Sequence, residues 1–262
     1  MQKKVRLNEA GNEYIGHLES RLCAPGTIRS RLTTIKQFRD VAGDIYLHDI
    51  TPYHVDQWRA KYGWGPSTMN TKLGNMKSFF RWARNRGYMP PDNDPLFGHT
   101  RSKVPVREKH RIPQEKWNDL LENVPHPLER ILIACGLYLM ARSSELINIR
   151  LKDVDLDAGE VLVYRFKTKR HDRLPICLEL DAELRRWLTW YLSKCETTPE
   201  SYLLPNRQKN HTLRDPRTGR LKRLDPEAPL NPYQPLSRPH RNVQHVLRTL
   251  GYTLEGEGGH TL

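Results

Sequence analysis

The chain has 262 residues, with 43 Lys or Arg against 30 Asp or Glu, a formal charge of +13 at pH 7 and a pI near 9.7. That length can bury a core in one large or two modest domains without staples. The cation excess favours a polyanionic partner, nucleic acid first, over charge that only keeps the protein in solution.

Several classes drop out. Cys23, Cys135, Cys177 and Cys195 are too scattered for a disulfide framework or a zinc site, so reduced thiols are expected. There is no His-Glu-x-x-His, no glycine-rich phosphate loop and no Gly-x-Ser-x-Gly elbow. No apolar run approaches the ~18 residues of a membrane span. Met1-Gln2-Lys3-Lys4 lacks an apolar signal region. The expectation is a soluble, cytoplasmic protein with no membrane partner.

The N-terminal part reads as helices. In NEAGNEYIGHLESRL, Tyr14, Ile15, Leu18 and Leu22 share a side at helical spacing. A second helix opens with Pro25 and stops at Gly43, with Ile28, Leu32, Ile35 and Phe38 as its apolar stripe. A third starts on the capping pair Thr51-Pro52 and ends at Gly63. The fourth runs from Pro66 to Gly87, with a wide face of Met69, Leu73, Met76, Phe79, Phe80 and Ala83. It carries Lys72, Lys77, Arg81, Arg84 and Arg86, with no acidic residue between Trp64 and Pro91. Lacking counter-charges at i+4, such a helix repels itself, and contact with a phosphate backbone is favoured over a merely solvated face. A Pro- and Gly-containing stretch follows with Arg101, Lys103, Arg107, Lys109 and Arg111. It reads as a basic linker over 98–112, between domains over 1–97 and 113–262, and suggests a clamp around a duplex.

The second domain begins with a helix at PQEKWNDLLENV, then PLERILIACGLYLMA, apolar almost all round and so central to the core. An amphipathic helix is expected at SSELINIRLKDVDL, capped by Ser143 or Ser144. GEVLVYRF and DRLPICL alternate as strands of a small antiparallel sheet joined by the turn KTKRH. A helix at DAELRRWLTWYLSKC returns over it. The Pro-rich stretch from TTPESYLLP to LNPYQPLSRP reads as a long surface loop, and a last helix spans RPHRNVQHVLRTLG. The fold class is mainly α with a small antiparallel sheet.

Four stretches in this order resemble the phage-integrase family of tyrosine recombinases. PSTMNTKLGNMKSFFRWARNRGYMPPDNDPL resembles the last helix and exit of the family's helical core-binding domain. GLYLMARSSELINIRLKDVDL resembles its Arg-x-Ser-Glu-Leu box. FKTKRHDRLPI resembles the β-hairpin lysine turn, with Pro175 on the returning strand. GGHTL resembles the start of the His-x-Leu-Arg box. The resemblance implies an N-terminal core-type DNA-binding domain, a mixed α/β catalytic domain, and DNA cleavage and rejoining through a 3′-phosphotyrosyl bond, with no metal or other cofactor.

By this resemblance Arg142 binds the non-bridging oxygens of the scissile phosphate, beside the donors of a helix N-terminus. Glu145 orients Arg142 and neutralises it when DNA is absent. Lys167, eight residues before Pro175 as in the family, protonates the leaving 5′ oxygen. Lys169 and Arg170 touch backbone phosphates, and His260 assists proton transfer.

The chain departs from the family after Leu262, before the second arginine of the box, and none of its eleven tyrosines follows His260. The expectation is a C-terminally truncated recombinase that binds double-stranded DNA without cleaving it. The alternatives are a catalytically inactive DNA-binding or decoy protein, and a helical nucleic-acid-binding regulator without enzymatic ancestry. The family implies a tetramer on paired sites, with accessory DNA-bending proteins as further partners, and a monomer for this chain.

Overall fold

The computed structural model describes residues 4–106, 112–208, 212–214, 221–224, 228–237 and 239–252. The chain divides into two compact units, Met1–Arg107 and Glu108–Leu262. It is mostly helical, with small antiparallel sheets.

Unit one is a helical bundle: α1 (Leu7–Ser20), α2 (Pro25–Ala42), α3 (Pro52–Tyr62) and α4 (Pro66–Asn85). Proline opens α2, α3 and α4, where its missing N–H costs nothing. Gly63 closes α3 in the left-handed region at φ 54° and donates to the Arg59 carbonyl. The core is aromatic: Phe38, Trp58, Phe79 and Phe80 are fully buried, with Phe38 edge-on to both Trp58 and Phe80. All six residues of the predicted α4 stripe are buried. Leu22 is not. It lies beyond the end of α1 at φ 53° and is 85% exposed, because the chain turns before a further helical turn can form.

Unit two is built on α6 (Pro127–Leu139), buried almost all round as its sequence requires. The shorter α5 (Trp117–Asn123), α8 (Leu178–Lys194) and α9 (Pro239–Thr249) pack beside it. The strands β1 (Val154–Asp155), β2 (Glu160–Arg165) and β3 (Arg170–Pro175) form an antiparallel sheet in sequential order. The hairpin register runs from Glu160↔Pro175 to Arg165↔Arg170. This leaves Phe166 to Lys169 as the turn, one residue earlier at its start than KTKRH suggests.

Two expectations are corrected. The helix over SSELINIRLKDVDL shrinks to α7 (Ser143–Leu146), one turn, followed by a 3-10 turn at Leu151–Asp153. The reason is competition for backbone groups. Ile149 accepts from the Leu203 amide at 2.9 Å and Leu151 donates to Ser201 at 2.9 Å, so this segment pairs like a strand rather than continuing the helix. For the same reason the Pro-rich stretch is not all surface loop. Leu203 and Leu204 are fully buried. β4 (Pro205–Arg207) pairs with β7 (Leu230–Pro235), and β5 (Thr212–Arg214) with β6 (Leu221–Leu224). The Trp187 indole N–H donates to Leu203 O at 3.0 Å and the Tyr191 hydroxyl to Tyr202 O at 3.2 Å, which fastens this segment to α8. Alternation is too brief in a three-residue strand to show in the sequence.

Candidate active site

Arg142 is the residue before α7, and a left-handed backbone at Met140 (φ 48°) swings the chain off the buried helix α6 just ahead of it. Its side chain is 63% exposed, whereas that of Glu145 is 1% exposed. Glu145 Oε1 accepts the Arg142 Nη1 donor at 2.9 Å, and Oε2 accepts the Arg142 backbone N–H at 3.0 Å. A third donor arrives from β2: Arg165 Nη1 bonds Oε2 at 2.8 Å. Burial opposes ionisation of Glu145. The bonds from the Arg142 backbone, Arg165 and the Arg142 side chain outweigh it and hold the carboxyl below its ordinary range. So Glu145 is a fixed buried anion, and Arg142 is a tethered cation with the rest of its donor fork turned to solvent.

The same residues join this point to the hairpin. Arg165 Nε donates to Asp172 Oδ2 at 3.0 Å, and Asp172 Oδ1 pairs with Arg170 Nε at 3.0 Å. The bonds to Glu145 and then Asp172 push the Arg165 guanidinium further above its usual range. Beyond Arg165 lies the turn with Lys167 and Lys169, both exposed. Lys169 is itself left-handed at φ 54°. Among the described residues three non-glycine positions have positive φ, and two of them, Met140 and Lys169, lie two residues from Arg142 and Lys167. A left-handed lysine or methionine costs about 1 kcal/mol, and such strain gathers where geometry is held for a purpose.

The structure thus brings Arg142 and Glu145 into direct contact and connects them to the Lys167, Lys169 and Arg170 hairpin. His260 lies outside the described residues. Because α7 has a single turn and Glu145 takes the Arg142 amide, the donors open at this point are mainly those of the guanidinium rather than of a helix N-terminus. Arg165 and Asp172 did not emerge from the sequence. The hairpin register could have revealed them, since it puts the two on one face as a diagonal cross-strand pair of opposite charge.

In unit one the five cations expected on the fourth helix divide, four lying within α4 and Arg86 just past its end. Lys72 donates to Gln37 Oε1 at 2.7 Å and lies over the Trp64 ring at 5.4 Å, and burial lowers its pKa. Arg84 donates to Asn93 O at 2.8 Å, with Asp94 3.7 Å away. Arg86 is exposed, its guanidinium 5.9 Å from the Trp82 ring. Lys77 and Arg81 are exposed one helical turn apart. Counter-charge therefore reaches this helix from outside it, at Asp94. Of the expected linker, Arg101 and Lys103 are exposed on either side of Ser102, whose amide and carbonyl both bond Asn70 on α4 at 2.8 Å. The start of that segment is pinned to unit one. Arg107, Lys109 and Arg111 lie outside the described residues.

The phage integrase family model matches residues 111–259, more than half of the chain. The chain belongs to the phage integrase family. The matched span of this phage integrase family member contains Arg142, Glu145 and Lys167. A tyrosine recombinase of Pseudothermotoga lettingae is 22% identical over 214 residues, 79% of this chain and 72% of that protein. Tyrosine recombinase XerC of Salmonella typhi is 30% identical over 130 residues, 48% of this chain and 42% of that protein. XerA of Thermococcus kodakarensis is 25% identical over 189 residues, 69% and 62%. The chain thus spans less than two thirds of the length of the latter two. Among solved structures, a lambda integrase dimer bound to a COC' core site superposes with a TM-score of 0.69 at 16% identity, over 98% of this chain and 86% of that one. The Tn1549 transposon integrase in complex with transposon right end DNA gives 0.66 at 13% identity, over 98% and 84%. At such identities the likeness is one of fold. Among the described residues no helix is long and apolar enough to cross a membrane.

Proposed function

We propose that the chain is a site-specific DNA recombinase of the tyrosine class, in which unit two holds the scissile phosphate and unit one, with Lys77 and Arg81, grips the flanking duplex. The supporting observation is Arg142: an exposed guanidinium held by a buried carboxylate, in a network continuous with the lysine-bearing hairpin. Such a fork matches two non-bridging phosphate oxygens, and it stabilises the charge that builds on them as the phosphorus becomes pentacoordinate. Lys167 stands at a turn from which an ammonium can protonate a leaving 5′ oxygen, with His260 as a further proton-transfer group. Lys72, Arg84, Arg86, Arg101, Lys103, Lys169 and Arg170 are assigned to backbone contact, Lys72 and Arg84 by giving up their present partners. The domains are assigned as 1–97, 98–112 and 113–262.

These 262 residues hold no tyrosine after His260. We assign them duplex binding, one copy per half-site, without a covalent bond to DNA. A tetramer on paired sites and accessory DNA-bending proteins belong to the recombination reaction itself. Titrating a labelled duplex across a salt series tests the binding half: a steep slope of log affinity on log salt is expected, falling by about 1 in Arg142→Ala. An unchanged slope in that variant removes Arg142 from the phosphate site. A protein–DNA adduct that survives denaturation overturns the second half.

A further inference from the structure

Arg165 stands where the phosphate site and the hairpin meet. Its carbonyl accepts the amides of Thr168 at 3.2 Å and Lys169 at 2.8 Å, which closes the turn around Lys167. Its guanidinium, in a side chain only 19% exposed, bridges two carboxylates, Glu145 Oε2 at 2.8 Å and Asp172 Oδ2 at 3.0 Å. Glu145 holds Arg142 through both its amide and its side chain. One residue therefore sets the turn with its backbone and, with its side chain, fastens that turn to the carrier of Arg142. The charges point the same way. Arg142, Arg165 and Arg170 against Glu145 and Asp172 leave one net positive charge, three less two, and without Arg165 that excess vanishes.

We propose that Arg165 is a positioning residue. It locks the Lys167 turn to the Arg142 phosphate site, and by sharing Glu145 it prevents that carboxylate from fully neutralising Arg142. This rests on Arg142 being the phosphate ligand. An arginine is required because its planar fork offers donors along two edges, one to each carboxylate, whereas a lysine is a single point of charge.

The test uses the full chain with two readouts: hydrogen exchange at the Thr168 and Lys169 amides in the free protein, and affinity for a short random-sequence duplex. Arg165→Met is expected to speed exchange at these two amides by about tenfold, the worth of one charge-assisted hydrogen bond. Exchange in α6 and along the β1–β2 ladder stays as it was, and duplex affinity falls about threefold or more as the net charge is lost. Arg165→Lys restores most of the affinity but not the slow exchange, a split that a merely stabilising residue would not produce. Unchanged exchange at the turn, or acceleration spread evenly through unit two, overturns the proposal. Arg142→Ala separates the two ideas. If it leaves duplex affinity and salt slope unchanged, the phosphate assignment fails, while the locking of the turn is still decided by exchange in the free protein.

Discussion

Two of the buried carboxylates of unit two, Glu129 and Glu145, hold arginines and do opposite things. Glu129, on α6, is gripped by Arg207 through two bonds of 2.8 Å, and the Arg207 side chain is itself only 4% exposed. His126 caps α6 by accepting the Leu128 amide and lies 3.2 Å from the same guanidinium. Both charges are enclosed there, and the pair pins β4 to the start of α6. Glu145 is just as buried, but one of its arginines faces solvent with donors to spare. The same residue types make a rivet in one place and leave an open donor group in the other. What separates them is whether the arginine is also buried, because a cation wrapped by its own anion has nothing left to offer a phosphate.

That contrast can be broken most forcefully at the rivet. Arg207→Met leaves Glu129 charged, buried and deprived of its bidentate partner, and should cost about 3–5 kcal/mol of unfolding free energy in a denaturant titration. A loss below about 1 kcal/mol would show that β4 gives way and admits water.

Acid provides a second, slightly smaller effect. Burial works to raise the Glu129 pKa, but the adjacent His126 ring and the bonds from Arg207 bring it down from 4.5 to about 2. A lowered folded-state pKa stabilises above the unfolded value, and that stability is lost as pH falls from about 4.5 through about 2. It amounts to about 3 kcal/mol. Glu129→Gln should flatten this part of the stability profile; a variant that keeps the full acid dependence would place it elsewhere.

A smaller effect is expected at the start of the linker segment. Asn70→Ala removes both bonds to Ser102 and should cost about 1–2 kcal/mol, with faster proteolysis near Arg101 and Lys103. Undiminished resistance to protease there would show that the segment is held by other contacts.

The smallest stability effect should come from two of the residues assigned to the duplex. Lys77→Ala and Arg81→Ala are expected to change stability by less than about 0.5 kcal/mol. Each should reduce the salt slope of duplex binding by about 1. If either variant unfolds the protein instead, its cation is structural.

Sequence periodicity was enough for α2 and α4 of unit one, where proline-first, glycine-last punctuation and an apolar stripe agree within each segment. It was enough for the hairpin too, and for the pairing of Arg142 with Glu145, which lie three residues apart. Glu129 also left a trace: a carboxylate on a helix that is apolar but for Glu129 and Arg130 demands a cation if it is buried. No local pattern names that cation, because Arg207 is 78 residues away in the chain. The shortening of α7 was equally hidden, since its carbonyls and amides were claimed by 201–203 across the fold. Local spacing decides what a segment prefers and which near neighbours can pair. Only the tertiary structure decided which arginine was sealed in, which stayed open, and that Arg165 would join the open one, through Glu145, to the hairpin. A buried charge takes whatever partner the packing of distant segments delivers.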